Sequence, residues 1–324
     1  MNNLMRKPSK DANLVFIAED MILRDDAFQK SMDRFCGEWW YFDAVFDNGY
    51  SANAFVGVIS KRDYGLILPI LHIYKDSKPI FSRRELRCFN EFSASESMPH
   101  IQLSKKDFIK GYIDEETDSV VYDVLLEVGG QKIDLKFTGV TKGWKGETPA
   151  SKWGVMLPRA IVKGTLTLNG ETIKVNGRGY HDHNWGFRLP VTLKGWYWGR
   201  CGGDSFNLVW SKIMSAKSKD FLLAVLNDGK TDYVNINPEK IQVSVMGYTY
   251  DHGGKKIPDE FTVDVKDERI HINVRMKTIE AVRYIRMPFV KYWRYHVHAT
   301  GHISYDERCE EIDQVEIIEF LKTW

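Results

Sequence analysis

The sequence has no excess of charge of either sign, since Lys and Arg number 45 against 44 Asp and Glu among 324 residues. A chain without a basic field does not attract a phosphate backbone, so we expect no nucleic-acid partner. No apolar run approaches the roughly 18 residues of a membrane span, and residues 1–16 lack the apolar stretch of a secretory signal. The sequence therefore predicts a cytoplasmic protein with no transmembrane segment.

Cysteine and the common catalytic motifs are also scarce. Four cysteines lie far apart without a CxxC pair, which is not typical of a zinc knuckle or a redox motif and suits a reducing compartment. The sequence contains no G-x-S-x-G elbow and no glycine-rich phosphate loop. We therefore expect neither a nucleophilic serine nor any cofactor.

Aromatic residues, by contrast, are abundant: 10 Trp, 15 Tyr and 17 Phe make up 13% of the chain. Together with a hydrophobic content of 43%, they suffice to fill buried cores and to line an internal cavity as well. This composition is the first indication of a hydrophobic small-molecule ligand.

Apolar and polar residues alternate with a period of two from about residue 38 onward, with Gly and Asn/Asp-Gly turns between the alternating runs. Because tight turns of this kind join antiparallel strands, four segments are predicted to be β-hairpins: 120–140, 164–180, 221–236 and 241–265. The fold class is therefore predicted to be all-β, with the strands forming antiparallel barrels or sandwiches.

The length predicts two domains, because a domain averages about 150 residues. The segment 186–203 contains Gly and Pro and separates two similar halves, so we place the domains at residues 1–190 and 191–324. One amphipathic helix is predicted over 25–35, where Phe and Met recur at helical spacing. An alternative interpretation of this segment is a plug over the end of a barrel.

The densest group of polar side chains lies in Gly177–Gly186, which reads GRGYHDHNWG. Alternation along a strand places His181 and His183 on one face and Asp182 and Asn184 on the other. These groups could serve catalysis, or they could hydrogen-bond one another and buried loop backbone to tie the two domains together. Both interpretations are open at this point.

A second cluster, Gly37–Asp43, reads GEWWYFD and mixes carboxyl groups with four aromatic residues. Alternation places Glu38 and Trp40 on one face and Asp43 on the other. A carboxyl group among indole rings loses hydration, so its pKa rises toward the range of a useful general acid. The alternative is a core strand in which Glu38 forms a salt bridge with an arginine such as Arg178.

The histidines allow a metal site as a further alternative. His181 and His183 could share a zinc ion with Glu38 as the third ligand. A lone H-x-H is common on strands, however, and the sequence contains no HExxH motif, so we expect no metal. His296 and His298 also have H-x-H spacing, and we interpret them as ordinary strand residues.

These segments resemble the superfamily that contains carotenoid 1,2-hydratase (hydroxyneurosporene synthase) and the AttH-like proteins, whose signature includes EWWY and GxGYxDHNWG. The matching segments here are GEWWYFD, GRGYHDHNWG and GWYWGR, and the strand order extends the resemblance over most of the chain. The resemblance implies two lipocalin-like β-domains, a dry apolar ligand pocket at or near their interface, and no metal. Other members include kievitone hydratase, tocopherol cyclase and lipocalin-like Diels-Alderases.

The resemblance also implies roles for individual residues. His183 and Trp185 match a His-x-Trp that the hydratases need. The hydratases further use a Tyr and an Asp about two dozen residues later, but this chain reads NLVWSK there. The proton would then come from Asp204 in a shifted register, from Asp182 or from Glu38, or the reaction would differ.

We therefore predict a cofactor-independent enzyme that hydrates or cyclises a carbon-carbon double bond of a hydrophobic isoprenoid or polyene. A neutral carboxylic acid would protonate the alkene, aromatic rings would stabilise the cation, and His183 would position the attacking water. The predicted catalytic residues are Asp182, His183, Glu38 and Tyr180. The predicted substrate-binding residues are Trp40, Trp185, Trp196 and Trp198.

Two other functions are compatible with the sequence. One is a pericyclic, Diels-Alder type cyclase, and the other is a lipocalin-like carrier that binds a hydrophobic molecule without changing it. Convergence of Glu38, Asp182 and His183 on one pocket favours the enzyme, and their dispersal favours the carrier. In each case the partner is a hydrophobic small molecule, with peripheral membrane contact as a route for its uptake.

Overall fold

The strands of the protein follow the alternation of the sequence. The computed structural model describes residues 15–188, 192–286 and 289–323. Strand accounts for 73% of the described residues and helix for 3%, so the predicted all-β class is confirmed. All strand pairs in the described ranges are antiparallel, and they form two separate curled sheets.

The first sheet contains 14 strands and the second contains nine. The strands of the first sheet are Glu19–Asp20 (β1), Cys36–Phe46 (β2), Tyr50–Lys61 (β3), Tyr64–Lys75 (β4), Lys78–Arg84 (β5), Arg87–Cys88 (β6), Phe92–Ala94 (β7), His100–Leu103 (β8), Lys106–Asp114 (β9), Ser119–Val128 (β10), Gln131–Gly139 (β11), Trp144–Glu147 (β12), Lys152–Leu168 (β13) and Glu171–Phe187 (β14). Those of the second sheet are Leu193–Gly202 (β15), Phe206–Ser215 (β16), Phe221–Asp228 (β17), Asp232–Asn235 (β18), Ile241–Tyr250 (β19), Lys256–Lys266 (β20), Ile270–Arg286 (β21), Val290–Tyr305 (β22) and Arg308–Thr323 (β23).

The path through the first sheet is β5-β4-β3-β2-β14-β13-β11-β10-β9-β8-β7, and the path through the second is β18-β17-β16-β15-β23-β22-β21-β20-β19. In each sheet the last long strand therefore pairs with a strand from the start of that sheet. This arrangement places β2 beside β14 and so brings the two aromatic motifs of the sequence together.

The four predicted hairpins are confirmed as the pairs β10–β11, β13–β14, β17–β18 and β19–β20. The turn between β13 and β14 consists of Asn169 and Gly170, whose φ angles are 51° and 88°. Positive φ at both central positions is the requirement of a type I′ turn, which Asn-Gly meets with little strain.

The predicted helix over 25–35 is wrong. The segment contains only the end of a 3₁₀ helix, Leu23–Asp26, and the other two short 3₁₀ helices are Phe89–Glu91 and Pro238–Lys240. The helix ends because Asp26 is bonded to buried groups of the first sheet and Ala27 is extended. Phe28 then enters the core of the first sheet, where it packs on Trp40 and Phe92. The plug alternative stays a prediction.

Three apolar clusters hold the described chain together. One lies on the inner face of the first sheet around Trp40 and Phe42, and a second lies on the inner face of the second sheet around Trp293 and Phe261. The third joins the outer faces of the two sheets and contains residues such as Tyr41, Tyr180, Trp198 and Ile317. The third cluster makes the interface between the sheets a buried environment.

The change from one sheet to the other occurs between Phe187 and Leu193. The predicted domain boundary, between residues 190 and 191, lies outside the described residues and stays a prediction. Most of the N-terminal segment from which the localisation was predicted also lies outside the described residues, and the cytoplasmic localisation stays a prediction. Within the described ranges, no helix has the length and apolar character that a membrane crossing requires.

Candidate functional site between two sheets

Strand β14 divides the predicted site residues between two environments. His181 and His183 face the core of the first sheet, whereas Tyr180 and Asp182 face the second sheet. This is the alternation predicted from the sequence, and all four side chains are buried. The predicted catalytic residues therefore form two clusters on opposite faces of one strand.

The first of these, the inner cluster, consists of Asp26, Glu38, Tyr122, His181 and His183. Glu38 Oε1 lies 2.9 Å from His183 Nε2, and Asp26 Oδ2 lies 2.9 Å from His181 Nε2 and 2.7 Å from the Tyr122 hydroxyl. Asp26 Oδ1 is 3.5 Å from His183 Nδ1 and so connects the two histidines. The alternative of a Glu38–Arg178 salt bridge is wrong, because Glu38 bonds His183 and Arg178 lies beside Glu316.

Burial and charge act together on the inner cluster. Burial raises the pKa of Glu38, although its bond to His183 opposes the shift. Burial alone would lower the pKa of His183, but the hydrogen bond and negative charge of Glu38, with Asp26 nearby, outweigh it and raise that pKa. Trp40 stacks on His183 with ring centres 4.7 Å apart, which fixes the imidazole plane. The cluster therefore consists of two hydrogen-bonded groups, Glu38 with His183 and Asp26 with His181 and Tyr122, which approach each other between Asp26 and His183.

The imidazoles considered for a metal ion both have carboxyl partners in this cluster. Among the described residues, no three His, Cys, Asp or Glu side chains are grouped so as to hold a metal ion. His298 is exposed beside Asp313, whereas His296 is buried and faces Ser51 of the first sheet.

The second cluster, the interface cluster, contains two pairs of residues that face each other on neighbouring strands of the first sheet. Tyr41 of β2 is paired with Asp182 of β14, and Asp43 is paired with Tyr180. Because these residues share the outer face, their side chains meet between the sheets. The Tyr180 hydroxyl donates to Asp182 Oδ2 over 2.8 Å, and Trp153 Nε1 donates to the same oxygen over 3.1 Å.

Asp182 has the chemistry of a buried acid. Burial raises its pKa to about 8, and the nearby carboxyls of Glu319 and Asp43 add to the shift, while the bonds from Tyr180 and Trp153 oppose it. Because Tyr180 and Trp153 both donate to Oδ2, the proton of the neutral Asp182 carboxyl lies on Oδ1. That oxygen has only a 3.4 Å contact with Asn184. Asp182 can therefore carry a transferable proton at neutral pH.

The second sheet contributes charged residues that the sequence analysis missed. Glu319 accepts hydrogen bonds from the hydroxyls of Tyr41, Tyr284 and Tyr292, and it lies 3.2 Å from Arg294 Nη1. Burial raises the pKa of Glu319, whereas the charge of Arg294 opposes the shift.

Arg200 completes the cluster through Asp43 Oδ1 at 2.6 Å and Glu316 Oε2 at 3.0 Å. One signal could have identified the carboxyls: Glu316 and Glu319 interrupt the apolar run VEIIEFL at the end of the chain. A charged residue in such a run must find a partner when it is buried.

Aromatic rings surround the interface cluster. Trp198 packs 5.1 Å from Tyr180 and 5.6 Å from Tyr41, measured between ring centres, and Trp196 packs 6.0 Å from Tyr292. Trp196 and Tyr292 are partly exposed, as are the neighbouring rings of Trp39, Phe55 and Phe187. A row of aromatic rings therefore extends from the protein surface toward Asp182.

The remaining predicted residues lie elsewhere. Trp185 packs on His183, with ring centres 4.8 Å apart, and lines an open cleft of about 1040 Å³ with Phe28 and Gln29. Asp204 cannot act as a buried acid, since its side chain is 97% exposed and paired with Arg159. Glu38, Asp182 and His183 do not converge on one pocket, and by the sequence-based criterion this dispersal favours the carrier. Asp182 instead lies near Glu319, which adds to burial in raising its pKa.

Curated proteins similar to this chain carry the names of rearrangement proteins. A stretch of 92 residues is 32% identical to the quinolone epoxide rearrangement protein penF of Penicillium thymicola and to its namesake asqO of Emericella nidulans. The stretch covers 28% of this chain and 25% of each relative, so the chain matches about a quarter of the length of these proteins.

Solved structures match over most of the chain. An AttH protein of Nitrosomonas europaea is 14% identical, with 90% of this chain and 94% of that one covered and a TM-score of 0.66. CghA with Sch210972 is 12% identical over 89% and 88% of the chains, with a TM-score of 0.62. Kievitone hydratase of Nectria haematococca is 10% identical over 88% of each chain, with a TM-score of 0.58. These likenesses show a common fold.

The family model agrees with the motifs from which membership was predicted. The model described as AttH-like matches residues 138–308, which is more than half of the chain and includes the GRGYHDHNWG segment. The protein therefore belongs to the AttH-like family, as the resemblance predicted.

Proposed function

We propose that the protein is a cofactor-independent enzyme that protonates a hydrophobic small molecule held between the two sheets, with Asp182 as the acid. The observation that carries the proposal is the carboxyl of Asp182, which is buried among aromatic rings with a pKa of about 8. Tyr180 and Trp153 both donate to Oδ2, so Oδ1, which accepts only a long hydrogen bond from Asn184 Nδ2, can carry the proton to be donated.

The chemistry follows from a neutral acid in an aromatic site. The Oδ1–H bond of Asp182 breaks as its proton bonds to an alkene carbon or an epoxide oxygen of the substrate. The positive charge that develops on carbon lies near the electron-rich faces of Trp198 and Tyr41. A water molecule or an internal carbon-carbon double bond then captures the cation, and the proton released returns to the Asp182 carboxylate.

The names of similar proteins support this reaction class. One is a hydratase and two are named for epoxide rearrangement, and both reactions can begin with transfer of a proton to an unsaturated or strained group. The same step serves the hydration or cyclisation of an isoprenoid or polyene. A reaction of this class needs an acid and an apolar site.

The inner cluster acts in this proposal through the strand it supports. Glu38 and His183 lie on the face of β2 and β14 opposite to Tyr41 and Asp182, and their bond ties these two strands together. They are positioning residues, because Asp182 is held by the same segment of β14. This role replaces the direct positioning of water by His183.

The test uses the molecule that the protein itself retains. Wild-type protein and Asp182→Asn are purified, and their bound lipophilic molecules are identified by mass spectrometry. We expect Asp182→Asn to retain a molecule that wild-type protein converts to an isomer or a hydrate on incubation. If wild-type protein returns the molecule unchanged, the protein is a carrier; if Asp182→Asn converts it as fast as the wild type, the acid is elsewhere or the reaction is pericyclic.

A further inference from the structure

One group of unpartnered polar atoms lies between the two sheets, on strands β4 and β22. They include both ring nitrogens of His72, the hydroxyl of Tyr74 and Nδ1 of His296, all buried and without a hydrogen-bond partner. A buried polar atom without a partner loses the hydrogen bonds that it makes with water in the unfolded chain, so a group of them requires an explanation. None of these residues takes part in the proposed proton transfer.

The three residues lie side by side. His72 and Tyr74 are two residues apart on β4 and so project from the same face toward the second sheet. The ring of Tyr74 lies 4.5 Å from that of His296, which is anchored through Nε2 to Ser51 Oγ at 2.8 Å. Burial lowers the pKa of both histidines to about 3, and the charge of Arg294 contributes to each shift, so both rings are neutral at physiological pH.

Arg294 supplies a buried cation next to this group. Its guanidinium carbon lies 5.8 Å from the centre of the Tyr74 ring, and the whole side chain is buried. Nη1 bonds to Tyr41 and Glu319, whereas Nε and Nη2 have no hydrogen-bond partner. The Nε–Nη2 edge of a guanidinium is a fork that fits the two oxygens of a planar oxyanion.

The carboxyls around Arg294 leave its Nε–Nη2 edge without a hydrogen bond. Asp43 is 3.8 Å from Nη2, but its other oxygen bonds Arg200 at 2.6 Å. Glu319 is 3.2 Å from Nη1 and so does not occupy the Nε–Nη2 edge.

We propose that Arg294, His72 and Tyr74 form an anion subsite of the substrate site. It binds two oxygens that share one negative charge, as in a carboxylate or the enolate of a 1,3-dicarbonyl group. The oxyanion accepts hydrogen bonds from the Nε–Nη2 edge of Arg294, from the Tyr74 hydroxyl and from one ring N–H of His72. Tyr284, partly exposed and 4.9 Å from His72 between ring centres, covers the subsite, so its ring must turn to admit a ligand.

The position of this subsite defines the length of the substrate, an inference that rests on the proposed function of Asp182. Strand β4 is separated from β14 by β3 and β2, and neighbouring strands are about 4.8 Å apart, so the backbones at His72 and Tyr180, which share a register row, are about 14 Å apart. Asp182 lies two residues further along β14. The substrate therefore spans the distance from Asp182 to the subsite, with its reactive group at Asp182 and an acidic oxygen group at the other end.

Calorimetric titration with 2-naphthoate, and with its neutral methyl ester, tests the subsite without knowledge of the natural substrate. We expect the wild type to bind naphthoate at least about tenfold more tightly than the ester, as hydrogen bonds to a charged group predict. Tyr74→Phe should lose about tenfold in naphthoate affinity and leave ester affinity unchanged. The matched control is Tyr295→Phe, because the Tyr295 hydroxyl is also unpartnered but lies in the core of the second sheet.

No binding of naphthoate, equal affinity for naphthoate and ester, or equal effects of Tyr74→Phe and Tyr295→Phe would each overturn the subsite. Asp182→Asn separates the two proposals, since it should bind naphthoate like the wild type. Selective naphthoate binding together with full turnover by Asp182→Asn would leave the anion subsite in place and remove the proposed acid.

Discussion

Asp182 and His183 are neighbours on β14, yet they belong to different clusters: Asp182 bonds Tyr180 and Trp153 between the sheets, whereas His183 bonds Glu38 inside the first sheet. One strand therefore carries a candidate acid on one face and the group that fixes its position on the other. The two residues should respond differently to substitution.

Substitution of the acid should remove turnover without removing binding. Asp182→Asn keeps the shape of the side chain but has no acidic proton, so we expect turnover of the retained molecule to fall by a factor of about 10² or more. Glu38→Gln is the matched control, because it changes a buried carboxyl on the opposite face; its turnover should stay within about tenfold of the wild type. Similar losses in the two variants would contradict the assignment of the acid.

Removal of His183 should act mainly on stability. His183→Ala leaves the Glu38 carboxyl buried without its partner, and breaking a buried pair in this way costs about 3–5 kcal/mol. Chemical denaturation measures this loss. His298→Ala removes a histidine from an exposed pair and should cost less than about 1 kcal/mol. If His183→Ala unfolds at the same denaturant concentration as the wild type, the inner cluster is not a support.

Sequence alternation was sufficient to predict the all-β class, the hairpins and the two faces of β14, because side-chain direction along a strand has a period of two. It could not place Glu319 and Arg294 beside Tyr41, since that contact depends on how the outer faces of two sheets pack. Asp26 was missed for another reason: helical spacing of Phe28 and Met32 suggested an amphipathic helix, whereas tertiary bonds to Asp26 determine the conformation of this segment.

The raised pKa of Asp182 also predicts how stability depends on pH. The unfolded chain releases this proton near pH 4, whereas the folded protein holds it until about pH 8. The stabilisation from this group is therefore complete below pH 4 and declines as pH rises to about 8, by at most about 6 kcal/mol. Asp182→Asn should lose less stability than the wild type between pH 5 and pH 9. Parallel curves of unfolding free energy against pH would contradict this.

The hydroxyl of Tyr180 should lower the pKa of the Asp182 carboxyl. Its hydrogen bond to Oδ2 stabilises the ionised form and lowers the pKa of Asp182 from the value that burial alone would give. Tyr180→Phe should therefore move the alkaline limit of turnover to higher pH. Tyr122→Phe, which removes a buried hydroxyl from the inner cluster, should leave this limit in place. A shift to lower pH in Tyr180→Phe would show that Tyr180 does not bond the carboxylate.

The ionisation state of Asp182 tests the central claim most directly. An infrared difference spectrum between the wild type and Asp182→Asn, recorded from pH 5 to pH 10, isolates the C=O stretch of this carboxyl. The account predicts the band of a protonated carboxylic acid at neutral pH and its replacement by carboxylate bands as pH rises through about 8. Carboxylate bands already present at pH 6 would contradict the account, because an ionised Asp182 has no proton to donate.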